Sequence, residues 1–421
     1  MMAIKSKFFY GWIILAVGFL VMAVMGACVF YSFGIFLKPI TADLGASRGE
    51  ATVAYSIMMV LHGLFSPLIA IVISKFGTRK PMILGLTLAT IGLALMSTAT
   101  QLWHLYFFYG ILIGSGVALG HFLPVSTMVT FWFTRKRPLA IGILMAGVGI
   151  GTLIIAPIIA RLISSLGWRT TWLVLAGIVF MLAVVPSAIF ARNKPEDMGL
   201  LSDGDQATMA QDSSSAETLS SIAALNWEIK PALKTVAIWM ITVINSANVF
   251  CMMMMNNHQV AHLTDMGFPP LIAASTLGFL GGTSAVGRLA GGALGQRINP
   301  RYLMAIAFML EAISLSIFLN AHTTTAVYTY VLLFGFGAGA IVVLHITMIG
   351  NYYGSKSYAF LASTVMVITT IVGASSPVLG GYIYDAVQSY TIPFTICIGA
   401  SVIGGICALL AKPPNHKASS R

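Results

Sequence analysis

The sequence predicts an all-α integral membrane protein of twelve transmembrane helices, arranged as two six-helix pseudo-repeats. Three observations carry that prediction. The chain is 58% hydrophobic and only 8% charged, with a mean hydropathy of +0.90, whereas soluble domains carry about 25% charged residues. Its apolar residues fall in repeated runs of about 20 or more, the length a helix needs to cross a bilayer. Several features of the first half return in the second at nearly one offset. Helices are inferred because the hydrocarbon core offers no water to unpaired backbone groups.

The elements follow in order. Lys5 and Lys7 precede a first span, 10–37, that is too long for the apolar core of a cleavable signal and reads as a retained helix. Lys38 and Arg48 lie in the turn before the second span, 51–73, and Lys75, Arg79 and Lys80 separate that from the third, 81–99. The fourth span is 102–130. Arg135, Lys136 and Arg137 introduce the fifth, 138–164, and Arg169 stands before the sixth, 170–190. From Arg192 and Lys194 the pattern breaks: ARNKPEDMGL gives way to SDGDQATMAQDSSSAE, and apolar periodicity vanishes until 233. Such composition reads as a partly disordered or surface-lying linker. Lys230 and Lys234 then precede the seventh span, 235–263, followed by 270–295, 302–319, 326–349, 358–387 and 391–411. The expected organisation is an N-terminal bundle at 1–191, a cytoplasmic linker at 192–233 and a C-terminal bundle at 234–421.

The two bundles look like copies. Ser74-Lys75-Phe76-Gly77-Thr78-Arg79 is matched by Gln296-Arg297-Ile298-Asn299-Pro300-Arg301, a shift of 222. Pro157 matches Pro377, a shift of 220, and Gly167-Trp168…Trp172 is echoed by Ser389-Tyr390…Phe394, again 222. Parallel six-helix repeats are a transporter architecture, in which substrate sites lie near the bilayer midplane at the repeat interface.

A net charge of +11 would raise nucleic acid as a partner of a soluble protein. Its distribution gives another reason. Of 23 Lys and Arg, only Lys38, Arg48 and Arg169 fall on the outer side if both termini are cytoplasmic, and Arg161 and Arg288 lie within spans. The other 18 include Arg297, Arg301 and Lys356 in the later inner turns. This positive-inside bias sets the orientation and accounts for the charge. Cys28, Cys251, Cys397 and Cys407 all fall in predicted spans without CxxC spacing, so neither a disulfide framework nor a zinc site is indicated.

Arg288 sits in the apolar stretch Pro270–Gly295 with no acid among its near neighbours. A cation at the centre of a spanning helix costs about 2.5–3.5 kcal/mol on insertion scales, so it ordinarily serves a pathway or an anion. The plain alternative is a structural arginine, paired elsewhere or snorkelling. A guanidinium suits a carboxylate, since its fork makes two parallel charge-assisted hydrogen bonds.

Along its whole length the chain resembles the major facilitator superfamily. The Ser74–Lys80 loop looks like that family's cytoplasmic motif, departing from it at Ser74, where an aspartate is common, and at Ala70, where a glycine is common. A narrower resemblance is to the monocarboxylate transporter family. It lies in Trp132-Phe133, Arg135-Lys136-Arg137, Pro138-Leu139-Ala140, Gly142, Ala146-Gly147 and Gly151, and in Phe9-Tyr10-Gly11-Trp12, which lacks the leading acid. Gly142, Gly147 and Gly151 are expected to give a small face for helix packing.

The resemblance implies a secondary active transporter of small, lactate- or pyruvate-like monocarboxylates, working by proton symport through alternating access. The related oxalate:formate antiporters imply carboxylate exchange as the alternative. Arg288 falls where both families carry a substrate-binding arginine on helix 8. Antiporters of dicarboxylates carry a second cation on helix 11; here 358–387 has no Lys or Arg, and Met366 is nearest. One buried positive charge favours a monoanion. Animal relatives carry a first-helix lysine, where Tyr31 stands here, and a helix-8 acid, where Leu277 stands. Their proton relay therefore does not carry over.

In the family fold, helices 1, 4, 7 and 10 line the cavity. None has a mid-depth Asp or Glu here, but they carry His121, His258 and His345. Arginine keeps its proton, whereas histidine titrates near physiological pH, so these three are the proton-coupling candidates, and with Tyr31 they join Arg288 as substrate-binding candidates. Counted from the predicted outer starts, His121, Arg288 and His345 lie 19, 18 and 19 residues deep, which would place them in one layer. The plain alternative for each histidine is a neutral ring bonded to a carbonyl. His258 stands nearer the outer end, and its spacing to His262 would suit two metal ligands, but no third is evident. The run Met252–Met255 reads as a deformable packing surface. Glu311, the one acid deep in a span, reads as an inward structural pair or a protonated carboxyl, and Asp43, Glu50 and Asp385 read as interfacial.

No nucleophile–base pair, metal cluster or cofactor motif is found, so an enzyme is not expected, nor a cofactor or metal. A non-transporting membrane sensor of the same fold is the alternative from another class. Sugar uptake and cationic drug efflux are the other transport readings, the latter opposed by a lone cavity cation. The expected setting is a plasma membrane, bacterial inner membrane in type, with lipid, a monocarboxylate and H+ as partners and the monomer as the working unit.

Overall fold

The computed structural model describes residues 9–134, 136–204 and 227–414. Lys5, Lys7, Arg135, both chain ends and most of the polar tract lie outside the described residues. Among the described residues ten helices are long and apolar enough to cross a membrane, or up to eleven when one bent pair counts as a span. The count depends on how one long run is divided. Leu139–Phe190 covers 52 residues, about 78 Å if straight, more than twice a ~30 Å hydrocarbon core. At Gly167 its backbone leaves the helical region, with φ 78° and ψ 164°, which divides the run into two helical pieces; counted separately, they bring the number of helices below to twelve.

In that numbering α1 is Gly11–Leu44, α2 is Arg48–Leu64 with Leu68–Phe76, α3 is Arg79–Met96 and α4 is Leu102–Trp132. Helices α5 and α6 are 139–166 and 168–190. Then come α7 Val236–Asp265, α8 Pro270–Leu294, α9 Pro300–Leu319, α10 Thr324–Gly354, α11 Phe360–Val387 and α12 Thr391–Leu410. Contacts divide the chain into two compact units, 1–44 with 57–209, and 45–56 with 210–421.

The repeat read from sequence is visible in backbone detail. Pro157 and Pro377 both lie inside helices. The break before α6 is Gly167 at φ 78°, and the break before α12 is Gln388 at φ 52°, a shift of 221. Glycine adopts that left-handed region without penalty, and Gln388 is one of few side chains here that accept it.

In the first unit α1 packs on α5. A Cβ at Gly147 would meet the Phe19 carbonyl at 2.7 Å, and one at Gly151 would meet the Ala23 backbone. Gly142 differs from the sequence reading: nothing lies within 4 Å of its Cβ position, so it takes no part in that seam. The aromatic opening of α1 meets the end of α4, with Phe9 5.5 Å and Trp12 5.2 Å from Phe133, ring centre to ring centre. Trp132 is buried and its Nε1 donates to the Arg192 carbonyl. Among the described residues the 74–80 turn is held by neutral acceptors: Ser74 Oγ bonds back to the Ile71 carbonyl, while Arg79 N donates to Asn193 Oδ1 and Arg79 Nη2 to the Ala188 carbonyl.

In the second unit α8 packs on α10, α7 on α11, and α9 on α10 and α12. The α8–α10 contact is backbone-close, because a Cβ at Gly291 would lie 2.9 Å from Ala340 Cα and one at Gly339 would strike the Ser284 backbone. Small residues permit such approach where two helices meet in lipid. All four cysteines are free thiols, three of them buried.

Candidate functional site

Arg288 stands on α8 one residue past Gly287, whose Cβ position is filled by the Phe336 backbone of α10. The close seam therefore fixes the base of the arginine. The side chain is half-buried, its Nε is buried without a hydrogen-bond partner, and among the described residues no acid pairs with it. A guanidinium in that position leaves one buried N–H without an acceptor. Leaving a buried charged donor unpaired is more costly than the 1–3 kcal/mol of a neutral one.

His345 lies in the same unit, on α10. Its Nδ1 is 3.2 Å from the Ile341 carbonyl. A carbonyl only accepts, so Nδ1 carries the hydrogen and the lone pair rests on Nε2. Facing pairs on the seam run from Ser284 with Gly339 to Gly291 with Ala340, offsets of 55 and 49. The level of Arg288 on α10 is thus 337–343, and His345 lies two to eight residues beyond it, roughly 3–12 Å along the axis. Counting depth from helix starts ignored this stagger.

His258 is committed elsewhere. It is fully buried, with Nε2 2.8 Å from the Pro377 carbonyl and Nδ1 3.1 Å from the Tyr390 hydroxyl. The carbonyl requires hydrogen on Nε2, so a neutral ring accepts the Tyr390 proton at Nδ1. His262, one turn on, packs its ring against Phe318, Tyr390 and Phe394. Among the described residues no group of three metal-ligating side chains occurs.

The other two candidates lie in the first unit. Tyr31 is buried and closes a π-helical segment, Gly26–Phe30, by donating its N–H to the Gly26 carbonyl. His121 interrupts α4, with φ −97° and ψ −117° between the helical pieces Gly114–Gly120 and Phe122–Trp132. Its ring is buried, neither nitrogen has a hydrogen-bond partner, and its neighbours are the rings of Phe30 at 5.0 Å and His62 at 6.3 Å.

Glu311 is cradled by neutral donors: Asn248 Nδ2 at 2.8 Å from Oε1 and Ser401 Oγ at 3.2 Å from Oε2. Sequence reasoning missed His62, which stands outside the set of cavity helices. It also missed the joint role of Arg48, Asp265 and Asp385, which are far apart in the chain and carry no local pattern.

The sequence profile of the Major Facilitator Superfamily matches residues 14–308 and 283–421. Monocarboxylate transporter 13 of Rattus norvegicus is 28% identical over 407 residues, covering 96% of this chain and 89% of the relative. Monocarboxylate transporter 12 of Rattus norvegicus is 26% identical over 417 residues, covering 96% and 85%. Among solved structures, a bacterial homologue of the human lysosomal transporter Spinster, inward-facing and occupied, aligns with a TM-score of 0.69 at 15% identity, over 97% of this chain and 94% of that one. At that identity the likeness speaks for the fold alone.

Proposed function

The chain belongs to the Major Facilitator Superfamily, and from that premise we propose that this multi-pass membrane transporter is a secondary active carrier of small monocarboxylates, coupled to protons. The observation that carries the reading is Arg288, a half-buried guanidinium on a membrane helix with its Nε buried and unpartnered. A carboxylate supplies the missing charge and the paired acceptors that the guanidinium fork is shaped for. The similarity to proteins named monocarboxylate transporters supports the same substrate class.

Arginine holds its proton throughout and provides binding, not coupling. We assign the coupling proton to His345, whose Nε2 lone pair is the basic position once Nδ1–H is bonded to the Ile341 carbonyl. The ring of His258 already spends both nitrogens on Tyr390 and Pro377, so it serves the local structure. We assign the carrier to a plasma membrane with both termini cytoplasmic, a reading supported by the charge asymmetry of its turns.

The direct test is uptake of labelled pyruvate or lactate into proteoliposomes holding the purified protein. Accumulation that disappears in Arg288→Ala is the expected result. Specific binding without any uptake would point instead to a sensor of the same fold, and uptake only against preloaded carboxylate to an exchanger.

A further inference from the structure

We infer that Ser284 is a second substrate-binding residue, whose hydroxyl donates to the anion that Arg288 holds. The inference rests on the carboxylate reading given above and adds a residue to that site. Every group it uses belongs to the second unit.

Helix α8 carries four side-chain hydroxyls, and three of them are spent on their own helix. Ser275 Oγ donates to the Ile272 carbonyl, Thr276 Oγ1 to that of Ala273 and Thr283 Oγ1 to that of Phe279. Ser284 is different. It is only 1% exposed, and its Oγ makes no hydrogen bond. The ordinary acceptor for a helical serine is the carbonyl one turn back, here that of Leu280. That oxygen is already covered: Thr283 Oγ1 lies 3.2 Å from it, and the Cβ position of Gly335 on α10 lies 2.9 Å from it. The Ser284 hydroxyl therefore has a hydrogen to give and no acceptor for it. Buried polar groups are nearly always satisfied, and an exception calls for a cause.

Packing does not supply the cause. The α8–α10 seam asks only for a small residue at this level, where a Cβ at Gly339 would strike the Ser284 backbone. Alanine would meet that demand and bury no polar atom. What the seam does supply is a fixed backbone on both sides of the arginine, through Gly339 at Ser284 and Ala340 at Gly291.

Ser284 and Arg288 are neighbours on one face of α8, one turn apart. Cα–Cβ bonds in a helix tilt toward its N-terminus, which carries the arginine stem back toward the turn that holds Ser284. Arg288 Nε is likewise buried and without an acceptor. Two adjacent donors, both buried and both unmet, are answered by one acceptor group. A carboxylate offers two oxygens and about four lone-pair sites, enough for a guanidinium fork and a hydroxyl together. The hydroxyl adds no charge of its own, so the pair stays matched to a single anion.

The test compares Ser284→Ala with the unaltered protein in two measurements: melting of the purified protein with and without pyruvate, and the KM for labelled pyruvate in proteoliposomes. Without pyruvate the variant is expected to melt no lower, since the hydroxyl it loses has no partner there. With pyruvate the rise in Tm is expected to shrink and the KM to increase roughly tenfold, as for loss of a hydrogen bond to a charged group. Ser284→Cys, near in size and a weaker donor, is expected to fall between the two. An unchanged KM and an unchanged pyruvate-induced rise in Ser284→Ala overturn the inference, and the carboxylate reading stands if Arg288→Ala still abolishes uptake. Lower melting of Ser284→Ala without pyruvate overturns it as well, because the hydroxyl then has a partner in the empty carrier. Uptake that survives Arg288→Ala overturns the carboxylate reading, and this inference with it.

Discussion

Arg48 and Asp265 form a two-pronged ion pair, with Nη1 2.6 Å from Oδ2 and Nη2 3.0 Å from Oδ1. The pair is the hub of a network. Arg48 Nη1 also donates to the Tyr390 hydroxyl at 2.8 Å, and the guanidinium lies 3.9 Å over the Tyr384 ring. Tyr390 in turn donates to His258, which passes its own hydrogen to Pro377. A second carboxylate takes the backbone: Asp385 accepts from Arg48 N at 3.0 Å and Gly49 N at 2.8 Å. It thereby caps the first turn of α2, where unpaired N–H groups and the helix dipole favour an anion.

The side-chain exposures of 11% for Arg48 and 26% for Asp265 put this pair between two regimes. Exposed pairs contribute about 0–1 kcal/mol, and breaking a buried one costs about 3–5 kcal/mol. A double-mutant cycle of Arg48→Met and Asp265→Asn on unfolding of the purified protein is expected to show a coupling of about 2 kcal/mol. A coupling below about 0.5 kcal/mol would mean that the pair is solvated in practice.

Arg288→Ala removes both the charge and the fork, while Arg288→Lys keeps the charge and loses the paired geometry. Both are expected to lose most transport, at least tenfold in kcat/KM, with unaltered insertion and near-normal melting. A rate close to that of the unaltered protein in Arg288→Ala would remove the arginine from the site.

If Arg288 is the one cation that meets the substrate, it also sets a limit on the substrate's charge. A second carboxylate brought to this site would be desolvated without a partner, which is costly for any buried charge. Succinate and oxalate are therefore expected to compete poorly with pyruvate at a pH where both carboxyls are ionised. Succinate or oxalate outcompeting pyruvate would require a second cation in the cavity.

Much of the fold was legible because membrane spans are written in composition. Runs of apolar residues and basic turns needed no tertiary information, and the break at Gly167, with φ 78°, falls in the gap expected between 164 and 170. Arg288 was legible for the same reason, since a cation in an apolar run is anomalous on its face. The histidines were not. His121, His258 and His345 look alike in sequence, yet one sits at a helix break with neither nitrogen bonded, one has both nitrogens bonded, and one bonds back to its own helix. Those states depend on which backbone and ring groups tertiary packing brings near. The relative depth of Arg288 and His345 depended on a stagger between two helices that only their packing reveals.

Glu311 gives a prediction from hydrogen bonding alone. Asn248 and Ser401 both donate to its carboxyl, and all three side chains are buried. A carboxamide fits much of that cradle, so Glu311→Gln is expected to melt close to the unaltered protein and to keep transport. Glu311→Leu leaves two buried polar groups unmet at about 1–3 kcal/mol each and is expected to lower stability by several kcal/mol. A transport-dead but stable Glu311→Gln would show that the acid itself, beyond its hydrogen bonds, takes part in the cycle.

Proton coupling gives the last prediction. An empty carrier that reorients with Arg288 unpaired moves a buried cation through the membrane interior, whereas a bound carboxylate neutralises it. With one proton accompanying each monoanion, the loaded carrier bears the same charge as the empty one, so the two steps cancel and the whole cycle translocates no net charge. Uptake into proteoliposomes is therefore expected to respond to an inward pH gradient, and to be indifferent to a valinomycin-set potassium potential imposed without one. His345→Gln keeps a hydrogen-bonding side chain but cannot be protonated at neutral pH. It is expected to blunt the response to the pH gradient while leaving counterflow exchange largely intact, because exchange returns the carrier loaded and needs no net proton release. Uptake driven by the potential and unaffected by the pH gradient would defeat proton symport and leave uniport or exchange as the mechanism.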